Sequence, residues 1–248
     1  MYSSAFCKVY NEFGWNYFPH AFGEQLLQWL EKNGVSARTC LDLGCGTGVL
    51  CEVLHDHGIR ASGMDLSEGM IAIARNSRPD IHYDVANMIT YRPDARFDLV
   101  TCTGDALNHI ISIDDIDRIF ANVFSYMSSG GYFIFDILNE KEVAPGEPID
   151  LDFSETIKAQ FLMTKNQDGI VQLKVTVWEN GEQTFEEIIT ETVHDPETIC
   201  ALLRKNGFEV LRCADQLLDD AEAHGTTWFI IARKPERDNR RKKVLTKS

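Results

Sequence analysis

Three glycines at alternate positions are the first residues of this chain whose spacing indicates chemistry. They are Gly44, Gly46 and Gly48 in the stretch CLDLGCGTGVL, in which an apolar run breaks and then resumes as an amphipathic one. This pattern is typical of a buried strand, a tight turn and the N-terminus of a helix, a combination that binds ligands through backbone N–H groups. The ligand could be a dinucleotide, a nucleoside triphosphate or another adenosine-bearing cofactor.

The residues around the turn separate these alternatives. No Lys follows the glycines, as a triphosphate-binding loop requires, and Val49 stands where a dinucleotide fingerprint needs its third glycine. Asp42 lies inside the strand, where a carboxylate suits a cationic amine better than a pyrophosphate. Asp65 ends the next strand, at the distance where a carboxylate accepts two hydrogen bonds from a ribose. The residues therefore indicate an adenosine that carries an amino acid in place of a pyrophosphate.

The signature LDLGCGTG closely resembles that of the class I S-adenosylmethionine-dependent methyltransferases, and in particular their small-molecule members of the methyltransferase domain 25 and 11 type. The segments GMDLSEGMIAIAR, DVANM, RFDLVTCTGDALNH and SSGGYFIFDI follow in the order of that family. The resemblance implies S-adenosylmethionine as the cofactor, S-adenosylhomocysteine as the product, and a set of cofactor-binding residues. That set is Tyr10, Tyr17, Asp42, Gly44, Cys45, Gly46, Gly48, Asp65, Leu66, Met70, Asn87, Met88 and Thr103.

The adenine end and the methionine end of the cofactor depend on two segments of this set. The segment DVANM places Asn87 and the backbone of Met88 at the adenine edge, but many relatives have an acidic residue at the position of Asn87. Because Asp84 lies three residues earlier, either Asn87 or Asp84 could face the adenine amine. The N-terminal stretch VYNEFGWNYFP resembles the aromatic lid of small-molecule members, in which Tyr10 and Tyr17 would bind the methionine carboxylate.

The catalytic candidates are His109, Tyr10 and His194. Methyl transfer from a sulfonium is an in-line displacement, so the protein must mainly align the acceptor lone pair and exclude water. His109 follows the fourth strand in a cluster with Asp105 and Asn108, and its ordinary pKa of ~6.5 suits proton transfer. His194 ends the added sheet and could also reach the pocket. The structural alternatives are an aromatic cap for Tyr10, a pocket wall for His109 and a helix flank for His194.

The elements that must position these residues alternate along the chain. Strand and helix patterns follow one another over residues 39–138 and resume after 195, which predicts a doubly wound, mostly parallel seven-stranded α/β sheet of the Rossmann-like methyltransferase type. After the linker KEVAPGEPIDLDF, three β-rich runs separated by NQDG and NG turns predict an inserted antiparallel sheet. The predicted organisation is an N-terminal aromatic lid and helix (1–38), a cofactor-binding domain (39–140 and 195–233), the inserted sheet (141–194) and a basic disordered tail (234–248).

Charge narrows the range of partners. The formal net charge is −14, and the residues from Arg233 onward carry eight Lys or Arg and only two acidic side chains. The rest of the chain is therefore strongly acidic and would repel the phosphates of a nucleic acid. The chain also has no D/N-P-P-Y/F stretch, the amine-holding motif of many nucleic-acid N-methyltransferases. We expect a small-molecule substrate, with an amine as first choice, no nucleic acid or membrane partner, and by resemblance a homodimer through the inserted sheet.

The cysteines and the absence of a targeting pattern indicate the cellular compartment. Seven scattered cysteines indicate reduced thiols, and the chain has neither a signal-peptide pattern nor an apolar run of membrane length, as expected of a cytoplasmic enzyme. No His, Cys or carboxylate cluster has metal-ligand spacing, so no metal is expected. The predicted function is methyl transfer to a nitrogen, or less favourably an oxygen, of a small metabolite. The alternatives are a protein-, peptide- or RNA-directed methyltransferase that docks through the basic tail, and a non-catalytic S-adenosylmethionine-binding partner subunit.

Overall fold

The computed structural model describes residues 2–139, 146–217 and 227–236, which form two β-sheets and their helices. The larger sheet contains β1 (Thr39–Leu43), β2 (Arg60–Asp65), β3 (His82–Val85), β4 (Phe97–Cys102), β5 (Met127–Leu138), β10 (Glu209–Ala214) and β11 (Thr227–Arg233). The smaller sheet contains β6 (Ile149–Asp152), β7 (Ile157–Lys165), β8 (Ile170–Glu179) and β9 (Glu182–Thr192).

The larger sheet has the strand order β10-β11-β5-β4-β1-β2-β3, and β11 alone runs antiparallel to its neighbours. Its central strands are buried on both faces, which explains why β4 reads as a continuous apolar run with Leu99 and Val100 fully buried. The seven-stranded, mostly parallel sheet confirms the predicted fold class.

Six helices connect and cover the strands of the described chain. They are α1 (Ser4–Val9), α2 (Tyr17–Lys32), α3 (Val49–Asp56), α4 (Glu68–Ser77), α5 (Ile113–Tyr126) and α6 (Pro196–Lys205). A short 3₁₀ turn, Ala106–His109, follows β4. Ser67 and Ser112 cap α4 and α5 by accepting hydrogen bonds from backbone N–H groups in the first turn, and Asp195 does the same for α6. These capping residues set where α4, α5 and α6 begin.

The smaller sheet is antiparallel, in the order β6-β7-β8-β9. Asn180 and Gly181, both with positive φ, form the two-residue hairpin between β8 and β9 that the NG dipeptide predicts. The sheet has four strands where three were predicted, because β6 lies within the predicted linker. All four residues of β6 are exposed, so no apolar alternation marks this strand in the sequence.

The N-terminal segment packs between the two sheets. Phe6 and Phe13 share a cluster with Met70 of α4 and with Val175 and Val177 of β8. The helix α1 contacts both α4 and β9, so it bridges the two sheets above the carboxyl ends of the parallel strands. Within the described ranges, no helix combines the length and apolarity that crossing a membrane requires.

The basic C-terminal segment lies mostly outside the described residues, which end at 236. Its first residues are docked on the larger sheet: Lys234 donates from Nζ to the backbone carbonyls of Phe124 and Met127, and its backbone pairs with Gly130 and Gly131. Lys234, the first residue of the predicted disordered tail, is therefore packed against this sheet. Residues 141–145 of the predicted linker also lie outside the described part, as does residue 140 before them.

Candidate active site

A cavity of ≈ 750 Å³ opens at the carboxyl ends of β1, β2, β4 and β5. Its floor is formed by these strand ends and their loops, where open α/β sheets bind their ligands. Its roof is formed by the N-terminal segment, with Tyr2, Tyr10 and Trp15, and by the smaller sheet, with Met163 of β7 and Thr190 of β9. The two sheets therefore enclose one site that neither forms alone.

The glycine turn forms one wall of the cavity. Gly44, Gly46 and Gly48 have φ values of 70°, 52° and 86°, in the left-handed region that favours glycine. Gly44 and Gly46 line the cavity, and a Cβ atom at Gly46 would meet no atom within 4 Å, so the backbone here is open to a ligand. Gly48 does not line the cavity. A Cβ atom there would lie 2.6 Å from the hydroxyl oxygen of Tyr83, so Gly48 serves close packing and its predicted contact with the cofactor is corrected.

Two carboxylates flank the turn. Asp42 is buried on β1 and accepts a hydrogen bond from Oγ1 of Thr101 at 2.7 Å. Burial raises the pKa of Asp42 to about 7, although the Thr101 bond opposes this shift. Asp65 accepts the backbone N–H groups of Gly46 at 3.0 Å and Ser67 at 2.8 Å, and burial raises its pKa. Both carboxylates line the cavity, together with the neighbouring Cys45 and Leu66.

The structure separates the two adenine candidates. Asn87 and Met88 line the cavity beside β2, and Thr103 lines it beyond β4. Asp84 is not among the lining residues, and its Oδ2 accepts a hydrogen bond from the Tyr91 hydroxyl at 2.6 Å. Asn87, and not Asp84, is therefore available to a ligand.

The aromatic segment meets the prediction only in part. Tyr10 lines the cavity, and the ring of Trp15 packs against the ring of Tyr10 with their centroids 5.2 Å apart. Tyr17 is 78% exposed and lies outside the cavity, because it begins α2 after the chain has turned at Gly14 (φ 80°). Met70 is fully buried in the cluster beneath the N-terminal segment and is not a lining residue. Tyr17 and Met70 are therefore corrected from cofactor contacts to a surface residue and a core residue.

His109 lines the cavity with both ring nitrogens engaged. Its Nδ1 lies 3.3 Å from the carbonyl oxygen of Thr190, and its Nε2 lies 3.1 Å from the hydroxyl of Tyr2 and 3.6 Å from Oε1 of Glu191. Because a carbonyl can only accept, Nδ1 carries the proton and Nε2 accepts from the Tyr2 hydroxyl. Burial lowers the pKa of His109, which favours this neutral ring. Its assignment as a general base stays a prediction.

His194 does not reach the cavity. It is 7% exposed, and its Nε2 donates to the carbonyl oxygen of Ile110 at 3.0 Å. Burial lowers the pKa of His194, which keeps it neutral. Its prediction as a catalytic residue is therefore corrected: His194 fastens the end of the smaller sheet to the loop after the 3₁₀ turn.

Asp105 and Asp136 form a second carboxylate pair on the β4–β5 side. Asp105 follows β4 in the left-handed region (φ 59°), and its backbone N–H lies 3.4 Å from Oδ2 of Asp136 on β5. Both line the cavity. Burial raises the pKa of Asp105 to about 6, and burial together with the charge of Asp105 raises the pKa of Asp136. Asn108 steadies this corner by donating to the carbonyl of Thr192 at 2.7 Å and accepting from the N–H of Leu138.

Sequence reasoning missed Tyr2, Asp136 and Glu191 as parts of this site. Asp136 had one signal, a carboxylate inside the apolar strand YFIFDIL, whose buried position demands a functional or structural reason. Burial, and secondarily the charge of Asp105, raises the pKa of Glu191 to about 8. Tyr2 and Glu191 had no such signal, because only the folding of the N-terminus over β9 brings them to His109.

The charged lining of the cavity is of one sign. The carboxylates Asp42, Asp65, Asp105, Asp136 and Glu187 line it, with His109 as the imidazole, and no Lys or Arg stands among the lining residues of the described chain. No group of three or more His, Cys, Asp or Glu within 2–139, 146–217 and 227–236 is arranged to hold a metal ion. The acidic lining therefore suits an organic cation, such as an ammonium or sulfonium group.

A doubly wound sheet with a glycine turn and acidic strand ends, covered by an inserted sheet, defines a Rossmann-like methyltransferase. Residues 40–131 match the model of the family described as "methyltransferase domain". A protein named as a methyltransferase in Geobacillus sp. (strain WCH70) is 30% identical over 237 residues, which cover 86% of this chain and 91% of that one. The chain belongs to the S-adenosylmethionine-dependent methyltransferases, and its cofactor is S-adenosylmethionine.

Solved structures show the same fold. An S-adenosylmethionine-dependent methyltransferase from Clostridium acetobutylicum has a TM-score of 0.77 at 23% identity, covering 86% of this chain and 90% of that one. The S-adenosylmethionine-bound amino pentose methyltransferase of Micromonospora echinaspora, involved in calicheamicin biosynthesis, has a TM-score of 0.76 at 18% identity, covering 94% and 98%. Because the similarity to the Micromonospora enzyme covers nearly the whole length of both chains, it includes the smaller sheet as well as the Rossmann-like core.

Proposed function

We propose that this enzyme transfers a methyl group from S-adenosylmethionine to a nitrogen of a small molecule, with an oxygen as the second choice. The observation that carries the proposal is the cavity lining, which has five carboxylates and no Lys or Arg among its described residues. Such a site favours a cationic amine, since opposite charges attract strongly where water is excluded. It disfavours a phenolate, a phosphate or a carboxylate near the reacting atom.

The cofactor is proposed to lie over β1 and β2. When bound, S-adenosylmethionine supplies a methyl group on a sulfonium that already carries its leaving group. Asp65 would accept hydrogen bonds from the ribose hydroxyls, and Asn87 would meet the adenine edge. Asp42 and the open backbone at Gly46 would hold the ammonium end of the methionine part. The open space above Gly46 fits this role, because a ligand can approach the backbone there.

The size and cover of the cavity support a small acceptor. Its volume of ≈ 750 Å³ lies within the ≈ 300–1,000 Å³ that small-molecule sites occupy. Tyr10 and Trp15 roof it from the N-terminal side and Ile188 and Thr190 of β9 from the other, so a polymer would enter only if the roof opened. The Micromonospora enzyme of the same fold is an amino pentose methyltransferase, which supports an amine acceptor here.

Turnover with matched acceptors tests the proposal. Small amines and the alcohols of the same carbon skeleton are offered with S-adenosylmethionine, product S-adenosylhomocysteine is measured by a coupled assay, and the methylated atom is identified by mass spectrometry and NMR. We expect methylated amines and no methylated alcohols. Methylation of an alcohol or phenol with a kcat/KM equal to that of its amine would contradict the preference for nitrogen.

The alternatives predict different outcomes of the same assay. A macromolecule-directed enzyme would lose activity when residues 237–248 are deleted, whereas a small-molecule enzyme would keep it. A non-catalytic partner subunit would bind S-adenosylmethionine and turn over no acceptor. The homodimer is tested by light scattering during size-exclusion chromatography, and a monomer at working concentration would contradict it.

A further inference from the structure

Asp136 stands on β5, two strands from Asp42 on β1, and Asp105 stands in the loop after β4 that borders the same part of the cavity. We propose that the pair of Asp105 and Asp136 is the acceptor site. The two carboxylates accept hydrogen bonds from the N–H groups of the reacting amine, which binds as an ammonium ion, and one carboxylate takes a proton from that ion before methyl transfer. The inference rests on the proposed function and adds to it the group that recognises the acceptor. Asp105 and Asp136 are therefore assigned as residues that touch the substrate.

One carboxylate oxygen of Asp136 has no hydrogen-bond donor within the described residues, and a ligand could supply that donor. Asp136 is 1% exposed, its side chain lines the cavity, and its Oδ2 accepts the backbone N–H of Asp105. Its Oδ1 is buried and has no hydrogen-bond partner among the residues that the structure describes. Buried carboxylate oxygens are nearly always hydrogen-bonded, because an unpaired one has lost its water without compensation. An ammonium brings three N–H donors and a positive charge.

The strand order places the pair on the acceptor side. The proposed cofactor residues Asp42 and Asp65 belong to β1 and β2, whereas Asp136 belongs to β5, on the far side of β4. Neighbouring strands lie about 4.8 Å apart, so β5 is about 10 Å from β1. Asp105 comes from the loop that closes β4 and turns its backbone N–H toward Asp136. The pair is therefore within reach of an acceptor that faces the cofactor, and it is separate from the adenosine end.

The surroundings of the pair select the class of acceptor. Glu191, Tyr2 and Tyr10 lie close enough to Asp105 for its charge to act on them. The neutral ring of His109 lines the same cavity. With no Lys or Arg among the described lining residues, a phosphate or carboxylate beside the nitrogen would meet only like charges. The expected acceptor is a primary or secondary amine without an anionic group next to the nitrogen.

The proton balance explains why a carboxylate pair is useful. A protonated amine has no lone pair, so it must lose one proton before it can attack. The N–H bond of the ammonium breaks and the proton passes to a carboxylate oxygen of the pair. The freed lone pair forms the N–C bond to the methyl group, while the C–S bond breaks and its electron pair remains on sulfur. The methylated ammonium leaves with its charge, and the carboxyl group returns its proton to water.

Binding to the enzyme loaded with S-adenosylhomocysteine tests the assignment. Calorimetry compares cyclohexylamine with cyclohexanol and glucosamine with glucose, in the wild type and in Asp105→Asn, Asp136→Asn and the exposed control Asp94→Asn. We expect the wild type and the control to bind each amine at least about tenfold more tightly than its alcohol. Both site variants should lose this preference. Asn tolerates the left-handed region at position 105, so Asp105→Asn should fold even if Asp136→Asn does not.

Three outcomes would overturn the proposal. The first is equal or undetectable binding of amine and alcohol by the wild type. The second is an amine preference that survives in both site variants. The third is loss of S-adenosylhomocysteine binding in both variants, which would assign the pair to the ammonium group of the cofactor.

Turnover separates this inference from the proposed function. If amines are methylated and the KM for the amine is unchanged in Asp105→Asn and Asp136→Asn, the acceptor site is wrong and the function stands. If the wild type methylates alcohols and not amines, the function itself is wrong. A rise of about tenfold or more in the amine KM, with an unchanged affinity for S-adenosylhomocysteine, supports both.

Discussion

The hydroxyl of Tyr2 lies 3.1 Å from Nε2 of His109 and ties the N-terminal segment to the turn after β4. A second tie is next to it: the backbone N–H of Ser3 lies 3.3 Å from both carboxylate oxygens of Glu187 on β9. Together they hold the roof of the cavity closed at one edge. While this arrangement persists, Nε2 of His109 is already bonded to Tyr2, so a ligand that used this nitrogen would first have to displace the tyrosine.

Replacing Tyr2 with Phe should loosen this roof. The variant keeps the ring, which packs 4.8 Å from Phe6, and removes only the hydrogen bond to His109. Since such a bond contributes about 0.5–1.5 kcal/mol, the segment should open roughly two- to tenfold more often. Amide hydrogen exchange over residues 4–9 and the dissociation rate of S-adenosylhomocysteine should both rise by that factor. Tyr17→Phe, on an exposed residue, is the control, and equal exchange in both variants would show that Tyr2 does not hold the roof.

Two glycines of one turn should respond differently to alanine. At Gly48 a Cβ atom would lie 2.6 Å from the Tyr83 hydroxyl oxygen with φ at 86°, so Gly48→Ala should lower the free energy of unfolding by roughly 2–4 kcal/mol. At Gly46 no atom lies within 4 Å of the added Cβ, so only the cost of a left-handed residue, about 1–2 kcal/mol, remains. Chemical denaturation measures both. Gly46→Ala, which faces the cavity, should instead be the variant that weakens S-adenosylmethionine binding; the reverse order would refute these placements.

The fold was predictable because its signals are local. The central strands β1 and β4 are short apolar runs, and α4, α5 and α6 begin at the capping residues Ser67, Ser112 and Asp195, so the alternation of strands and helices can be read from the sequence. β6 was missed because its residues are all exposed and carry no alternation. The positions of Gly44, Gly46 and Asp65 at the cavity were predictable for the same local reason, since their spacing along the chain is their signal.

The rest of the site depends on tertiary contacts that spacing does not encode. Tyr2, Glu191 and His109 lie far apart in sequence and meet only when α1 packs on β9. Tyr17 and His194 have the right residue type near the right element, but the turn at Gly14 directs one outward and a hydrogen bond to a backbone carbonyl occupies the other. Residue type therefore predicted candidates, and only packing selected among them.

Removing the carboxylate of Asp65 should weaken cofactor binding more than removing the carboxylate of Asp84. Asp65→Ala loses the proposed ribose contact and the hydrogen bonds from the backbone N–H groups of Gly46 and Ser67, so S-adenosylhomocysteine binding should weaken by roughly 1–3 kcal/mol. Asp84→Ala loses a bond to Tyr91 outside the cavity and should leave the affinity unchanged. The loss of S-adenosylhomocysteine affinity in Asn87→Ala should be smaller than in Asp65→Ala and larger than in Asp84→Ala. Calorimetric titration measures all three, and an equal effect of Asp84→Ala and Asn87→Ala would return the adenine assignment to Asp84.

Stability without ligand should fall as the pH rises from about 4 to 8. Burial raises the pKa of Asp42 to about 7, of Asp105 to about 6 and of Glu191 to about 8, all above the usual values near 4 for unfolded carboxyls. The folded state then binds more protons than the unfolded state in this window, so stability present at pH 4 is lost as the pH passes each folded pKa. Calorimetric Tm values should decline between pH 5 and 8. Glu191→Gln should flatten the upper part of that decline, while Glu209→Gln, on the surface, should not.

Binding of the cofactor should release protons at neutral pH, and Asp42 should be a main source. With a pKa of about 7, Asp42 is half protonated near pH 7 in the free enzyme. An ammonium or sulfonium bound beside it favours the carboxylate and lowers that pKa, so binding expels part of a proton. Calorimetric titration of S-adenosylmethionine in two buffers of different ionisation enthalpy measures the number released, which should fall clearly in Asp42→Asn and stay the same in Asp94→Asn. S-adenosylhomocysteine keeps the ammonium but lacks the sulfonium, so a release of equal size with both ligands would assign the effect to the amino group. Equal release by wild type and Asp42→Asn would show that the cation does not lie beside Asp42.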